Sequence, residues 1–380
     1  MKNIAVIGAT GSVGGSVLDI CARYPDKFRV SALAARSKSR ELFALAKRFG
    51  VKYAALREPS REDAALFASI GAELLAGDDG LMSLSVMPDI DHVSFSSSGT
   101  DAIPALIAAL SSGKEVSLAN KESVVAAGQW VMPAVRYKDQ LRPVDSEHSA
   151  VWQCLSGEDW GSVEKIYLTA SGGPFLNWPI EQIRAASPED ALRHPVWAMG
   201  PKITVDSATL MNKGIECVEA MRLFSLPHSK VGALIHPGSR VHGVVSFSDA
   251  AVKLLYSQPD MRLPAACALS WPERLPLLSD AVFERPDFAA APLIFSEPDE
   301  ERFPCFKTAL EAGRLGGAYP ALLIGADEFA VRAFLDKRIP FGDISVIVEK
   351  TLERWSGSAP SSAEDAIELI AEGERLAREQ

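Results

Sequence analysis

The chain has 380 residues, 47% hydrophobic and 23% charged, with a formal net charge of -10. That length exceeds what one hydrophobic core usually serves, so two or three domains are expected. The acidic balance argues against a nucleic-acid partner, which needs a clustered basic face, and no apolar run approaches the ~20 residues of a membrane span.

Five cysteines (Cys21, Cys154, Cys217, Cys267, Cys305) are scattered and lack C-x-x-C spacing. Reduced thiols in a cytoplasm are expected, with neither a zinc cluster nor a disulfide framework. Met1-Lys2-Asn3 runs straight into Ile4-Ala5-Val6-Ile7, so no signal peptide is expected.

In chain order, Ile4–Ile7 reads as a strand, followed by a glycine loop and a helix over Ser16 to Arg23. Phe28 to Ala35 is strand-like and Ser39 to Phe49 helical. Tyr53–Leu56, His92–Phe95 and Glu115–Leu118 read as strands, with an apolar helix over Ala102 to Leu110. Such alternation predicts a Rossmann-like, doubly wound parallel sheet, in an α/β class. After Asp145 the pattern becomes α+β, with strands over Lys165–Leu168 and Ser239 to Phe247 and one long helix over Asp206 to Phe224. Prolines crowd the stretch from Trp271 to Pro304, an extended connection, and Cys305 to Gln380 suggests a small helical bundle. The expected division is a nucleotide-binding domain over 1–145, a catalytic domain over 146–275, a linker over 276–304 and a helical domain over 305–380.

The opening Gly8-Ala-Thr-Gly11-Ser-Val-Gly14 lies between a strand and a helix, as a dinucleotide site requires. Glycines let the backbone approach a pyrophosphate, and the helix start offers free N–H groups and a positive dipole end. At the end of the second strand an NAD enzyme would place Asp or Glu against the ribose hydroxyl. Arg36-Ser37-Lys38 stands there instead, and its donors suit a 2′-phosphate, which favours NADP(H).

Pro143-Val144-Asp145-Ser146-Glu147-His148 carries two carboxylates one residue apart. In an extended segment both project to one side and can grip a hard divalent cation, although such a pair alone is more often a solvated turn. Asn212 and Glu216 share one helix face. With Lys213 and the nearby Ser207 they suggest a phosphate cradle, Glu216 being placed to complete a metal set. Ala170-Ser171-Gly172-Gly173 is a turn able to present Ser171 to an anion. Arg193-His194-Pro195-Val196-Trp197-Ala198-Met199-Gly200 suits a mobile lid. Ala119-Asn120-Lys121-Glu122 follows a strand, where such a sheet collects ligands.

These motifs together, with Leu234-Ile235-His236-Pro237 and Pro259-Asp260-Met261-Arg262, resemble the 1-deoxy-D-xylulose-5-phosphate reductoisomerases over nearly the whole chain. The resemblance implies NADPH as cofactor, with Thr10, Gly11, Ser12 and Val13 around its phosphates and Arg36, Ser37 and Lys38 at the adenosine 2′-phosphate. It implies further cofactor contacts at Asn120, Glu122 and Gly200. Asp145, Glu147 and Glu216 are similar to the family's ligands for a divalent metal (Mg²⁺, Mn²⁺ or Co²⁺). Ser171, Ser207, Asn212 and Lys213 resemble its phosphate set, while Lys121, Ser146 and His194 resemble further substrate contacts. Glu147 and Glu216 also face the substrate on this reading, and Lys121, Glu147 and His194 are the candidate catalytic residues. Trp197 matches the lid, and His242 a site-proximal histidine.

The implied reaction converts 1-deoxy-D-xylulose 5-phosphate into 2-C-methyl-D-erythritol 4-phosphate in the non-mevalonate isoprenoid pathway. It proceeds by retro-aldol cleavage, aldol recombination and hydride transfer, and a homodimer is implied as well. The chain departs from the family at Ser96-Ser97-Ser98-Gly99-Thr100, where a glycine-alanine stretch is frequent. It departs again at Gly325-Ala326-Asp327-Glu328, where an Asn pair is common, and at Val196, where a polar residue is frequent. Two rivals remain. A semialdehyde dehydrogenase needs an activated cysteine, for which only Cys154 stands near a motif, and a non-catalytic NADPH sensor needs no carboxylate set.

Overall fold

The computed structural model describes residues 1–197, 199–289 and 292–380. The chain forms two compact units, each gathered from separate stretches. The first comprises Met1–Ser123, Gln129–Ser149 and Asp260–Leu277; the second comprises Val124–Gly128, Ala150–Pro259 and Leu278–Gln380.

The first unit is built on strands β1 (Lys2–Ile7), β2 (Phe28–Ala35), β3 (Tyr53–Leu56), β4 (Glu73–Ala76), β5 (His92–Phe95), β6 (Glu115–Leu118) and β7 (Leu141–Pro143). They lie in the order β4-β3-β2-β1-β5-β6-β7, every pair parallel. The central strands are buried over most of their length, since helices cover both faces of a parallel sheet. Ile4, Ala5, Val6, Val93 and Phe95 are accordingly fully buried. The strand order reverses at β1, and a crevice for ligands opens at the carboxyl ends there.

Two glycines shape that crevice. Gly8 has φ +82°, and a Cβ on it would lie 2.5 Å from the backbone nitrogen of Ser97. A Cβ on Gly14 would lie 2.3 Å from the Gly8 carbonyl oxygen. Only glycine lets the helix Ser12–Arg23 begin this close to the strand end. The helix starts four residues earlier than composition suggests, on the loop glycines themselves. The later helix Arg262–Ser270 also belongs to this unit, Arg262 reaching Asp19 at 3.5 Å.

The second unit contains β8 (Val163–Ala170), β9 (Val231–Ile235), β10 (Val241–Phe247) and β11 (Val252–Tyr256) in the order β11-β10-β8-β9. β8 and β9 are parallel and the other pairs antiparallel. Four helices, Pro304–Leu315, Tyr319–Leu335, Asp343–Arg354 and Ala363–Arg378, close the chain around a core that includes Leu322, Val331, Phe334, Val348 and Leu376. Between Trp271 and Pro304 the described residues hold one short 3-10 turn, Leu277–Ser279, and a single bridge from Ser296 to Ile235. The architecture is therefore the expected one: a doubly wound parallel sheet, a second mixed sheet with helices, and a helical C-terminus.

Two local expectations fail. Asp206 to Phe224 is not one helix but two, Pro201–Ala208 and Met211–Leu223. Leu210 adopts φ +59°, and the Thr209 hydroxyl accepts the Met211 N–H at 3.2 Å, so local bonding outcompetes continuation of the helix. The segment holding Asp145 and Glu147 is not extended. β7 ends at Pro143, and the helix Ser146–Leu155 begins at once, the Asp145 carbonyl accepting from Ser149 N–H at 2.8 Å.

Candidate active site

In the first unit the helix Ser12–Arg23 starts at Gly11 with no side-chain cap. Its first N–H groups remain available to an anion, and Thr10, Gly11, Ser12 and Val13 surround them. Arg36, Ser37 and Lys38 follow β2. Arg36 is 3.3 Å from Asp101, and Lys38 pairs with Glu41 at 3.2 Å, all on the exposed rim.

Asn120 is buried and its amide is fully engaged. Its nitrogen donates to the carbonyls of Ser97 (2.8 Å) and Gly99 (2.7 Å). Its oxygen accepts from Ser123 N–H (2.9 Å) and Oγ (2.5 Å). An amide has two donor hydrogens and one oxygen with two lone pairs, so this side chain braces the Ser97–Gly99 loop. The loop departing from the family pattern is thus one that Asn120 pins down. Lys121 and Glu122 open the next helix, Lys121–Val131. The Lys121 ammonium lies 2.8 Å from Asp145, which also has His148 Nδ1 at 3.8 Å. Ser146 Oγ donates to Glu147 at 2.5 Å. Asp145 and Glu147 both sit at a helix start, where the dipole favours negative charge.

In the second unit Ser171 follows β8, and its hydroxyl accepts Gly173 N–H at 3.2 Å. Ser171 Oγ is also 3.2 Å from His194 Nε2. His194 Nδ1 accepts from the backbone N–H of Val196 (3.2 Å) and Trp197 (2.8 Å). An Nδ1 that accepts carries no proton, so the hydrogen sits on Nε2 and points at Ser171. Burial lowers the His194 pKa below its ordinary 6.5, which agrees with a neutral ring. Ala198 of this segment lies outside the described residues, and Gly200 caps the helix Pro201–Ala208.

Gly173 packs tightly on that helix, since a Cβ there would lie 2.7 Å from the Ser207 carbonyl oxygen. Ser171 and Ser207 are thereby held on adjoining backbones. The break at Leu210 then places Asn212 and Lys213 in the first turn of the following helix, Met211–Leu223. Lys213 and Glu216 are buried, at 4% and 1% exposure. The Glu216 carboxylate accepts from both Asn212 and Lys213. His242 lies on β10, buried, with Nε2 3.3 Å from the Ser257 carbonyl, and burial pushes its pKa down to about 4.

Sequence reasoning missed Arg57, which follows β3 as Arg36 follows β2 and pairs with Asp101 and Asp78. It also missed the frame of Lys202 with Asp206 (2.6 Å), four residues on, and Asp327 (2.5 Å), 125 residues on. The departure at Asp327 is therefore a buried charge sharing one lysine.

Family models covering three stretches match the chain. "1-deoxy-D-xylulose 5-phosphate reductoisomerase" spans residues 4–128, its C-terminal domain model residues 141–224, and a second C-terminal domain model residues 256–380. The chain belongs to the 1-deoxy-D-xylulose 5-phosphate reductoisomerase family. A relative of that name from Moorella thermoacetica is 46% identical over 93% of this chain and 91% of its own. One from Rippkaea orientalis is 41% identical over 100% and 96%. Among solved structures, the Zymomonas mobilis reductoisomerase in complex with NADPH superposes with a TM-score of 0.91 at 39% identity, covering 99% of this chain and 98% of the other. A reductoisomerase in complex with NADPH, fosmidomycin and magnesium gives 0.89 at 34% identity, covering 100% and 98%.

Proposed function

We propose that the chain catalyses the NADPH-dependent, divalent-metal-dependent conversion of 1-deoxy-D-xylulose 5-phosphate to 2-C-methyl-D-erythritol 4-phosphate, for isoprenoid precursors. The observation that carries the reading most directly is the single helical turn holding Asn212, Lys213 and Glu216, with Lys213 and Glu216 buried. A buried ammonium beside a carboxylate, next to Ser207 and the Ser171 loop, suits a substrate carrying a phosphate. The family structures in complex with NADPH and with magnesium support the cofactor and metal assignments.

The donor set fits a hard cation. Asp145, Glu147 and Glu216 offer only carboxylate oxygens, the ligands Mg²⁺ and Mn²⁺ prefer. When bound, the ion supplies Lewis-acid polarisation of substrate oxygens, and NADPH supplies the hydride. The chain's own residues do the rest. Lys213, Asn212, Ser207 and Ser171 bind the phosphate and provide binding energy remote from the reacting bonds. Lys121 holds Asp145, and Ser146 holds Glu147, each with a hydrogen bond or ion pair that fixes the carboxylate. His194, neutral and protonated on Nε2, directs its one donor at Ser171 of the phosphate set while Nδ1 anchors Val196 and Trp197, which exclude water. Thr10 to Val13, Arg36 to Lys38, Glu122 and Gly200 form the cofactor side, and Asn120 serves it by bracing the Ser97–Gly99 loop. In this reading residues 1–145 carry the cofactor contacts together with Lys121 and Asp145, 146–275 the rest of the chemistry and 305–380 the supporting bundle.

A homodimer in the cytoplasm completes the reading. β11 is an edge strand exposing Val252 and Leu254, a surface that edge strands usually cover. Five free, buried cysteines suit a reducing compartment, and among the described residues no helix is long and apolar enough to cross a membrane. The semialdehyde dehydrogenase rival is disfavoured, because Cys154 is buried in the core and that burial pushes its thiol up to about 11. The test is loss of NADPH absorbance on adding 1-deoxy-D-xylulose 5-phosphate, run with Mg²⁺ and with EDTA. Oxidation only with the metal is expected, and metal-independent turnover or none at all defeats the reading.

A further inference from the structure

The crevice at the carboxyl ends of β1 to β3 holds a second guanidinium that no motif singles out. β2 and β3 run parallel with Ala35 opposite Leu56. The register carries on by one residue, and the Arg57 N–H donates to the Arg36 carbonyl at 3.2 Å. Arg36 and Arg57 are therefore cross-strand neighbours whose side chains converge on one oxygen, Oδ2 of Asp101. Arg57 also lies 3.2 Å from Asp78. These residues, with Gly8, Ala34 and Ala35, line one cleft.

We propose that Arg57 is a second ligand of the adenosine 2′-phosphate, sharing it with Arg36, and that Asp101 is the internal anion the phosphate displaces. The proposal rests on the NADPH reading and deepens it. Two guanidiniums meeting at one carboxylate oxygen leave most of their donors unused, because a carboxylate offers two oxygens and one charge. A phosphate monoester offers three strong acceptor oxygens and ≈ −1.5 to −2 charge near neutral pH, so it can engage both forks together. A ribose hydroxyl cannot, and leaves both arginines on Asp101. Discrimination thus comes from an exchange of anions. Arg57 contributes the firmer half of it: its side chain is 31% exposed against 71% for Arg36, and Asp78 anchors it.

Calorimetric titration of the full chain with 2′,5′-ADP and with 5′-ADP tests this. Wild type should prefer 2′,5′-ADP. Arg57→Ala should weaken 2′,5′-ADP about ten-fold or more, the scale of a lost hydrogen bond to a charged group, with 5′-ADP affinity unchanged. Arg57→Lys retains the cation if the alanine variant folds poorly, and should recover only part of the preference, since an ammonium lacks the planar fork. Asp101→Asn should tighten 2′,5′-ADP. Equal losses on both probes for the Arg57 variants, or no loss on either, overturn the role of Arg57. Unchanged or weaker 2′,5′-ADP binding by Asp101→Asn overturns the exchange. If Arg36→Ala abolishes the preference while the Arg57 variants keep it, this inference fails and the NADPH reading stands. If wild type binds both probes alike, the NADPH reading itself fails.

Discussion

On the proposed reading each unit positions a cationic side chain to meet a phosphate, and the two do so in opposite surroundings. Arg36 is 71% exposed and paired with Asp101, itself 35% exposed. Lys213 is 4% exposed and bound to Glu216 at 1%. In water an ion pair contributes little and is easily exchanged. Buried, the same pair is committed, because either charge left alone faces a large desolvation cost. The cofactor unit can therefore change partners cheaply, as suits a dinucleotide that enters and leaves each cycle. The substrate unit keeps its charges in fixed pairs, as suits a site that must hold its shape before the substrate arrives.

The largest effect should come from breaking the buried pair. Lys213→Met takes a buried cationic partner from the Glu216 carboxylate, and loss of one partner of such a pair costs roughly 3–5 kcal/mol. Urea unfolding should show that loss, and turnover of the sugar phosphate should collapse with it. Unchanged stability would mean that the pair is not what holds Glu216. Arg36→Ala is the opposite case. Its unfolding midpoint should stay at the wild-type value, while affinity for NADPH relative to NADH drops about ten-fold. A stability loss comparable to that of Lys213→Met would erase the contrast between the two units.

The same contrast extends to the frame around Lys202. Asp206 and Asp327 are both buried and share that lysine, and the Asp206 carboxyl is pushed well above its ordinary range by burial first and then by Asp327. A raised carboxyl pKa means the folded state takes up a proton more readily than the unfolded chain. Stability is then fully present at low pH and declines as pH rises above the unfolded value, about 3.9. Asp327→Asn removes the like charge and keeps the shape. It should stabilise the protein at neutral pH, since Asp327 is one of the causes that raise the Asp206 pKa, and flatten the decline. Thermal melts across pH measure both, and a destabilised variant would show that Lys202 needs the second carboxylate.

How much of this was legible depended on sequence separation. The glycine loop, the basic turn after β2 and the Asn212–Glu216 spacing are local, and local spacing fixes which side chains share a face. The fold class followed from strand–helix alternation for the same reason. The helix break at Leu210 was not legible, because neither Leu nor Thr is a compositional breaker. It is the Thr209 hydroxyl and the Gly173 loop packed on Ser207 that define it. Nor was the turn at Asp145, where only Val144 and Asp145 separate the strand end at Pro143 from the helix start at Ser146. Arg57 needed the β2–β3 register, and Asp327 needed a contact spanning 125 residues. Both are products of tertiary pairing that no window of sequence contains.

The smallest effect should be a pH dependence at His194, whose ring stands between the two regimes, half-buried and held by backbone. Nδ1 accepts two N–H groups, from Val196 and Trp197, so a proton arriving there removes both bonds at once. Burial lowers the His194 pKa below 6.5 in the folded state. The unfolded chain therefore takes up its proton first as pH falls. The contribution is fully present above about pH 6.5 and is lost as pH drops through that value toward the folded one. His92 and His242, each pushed down to about 4 by burial, pull the acid limb in the same direction. Their share is common to wild type and His194→Gln, so the difference between the two stability profiles isolates His194. Wild type should lose stability between pH 7 and 5 more steeply than His194→Gln, and kcat/KM for the sugar phosphate should fall over the same interval in wild type only. Parallel profiles would show that His194 is not held neutral by the Val196 and Trp197 N–H groups, and the assignment of its hydrogen to Nε2, facing Ser171, would go with it.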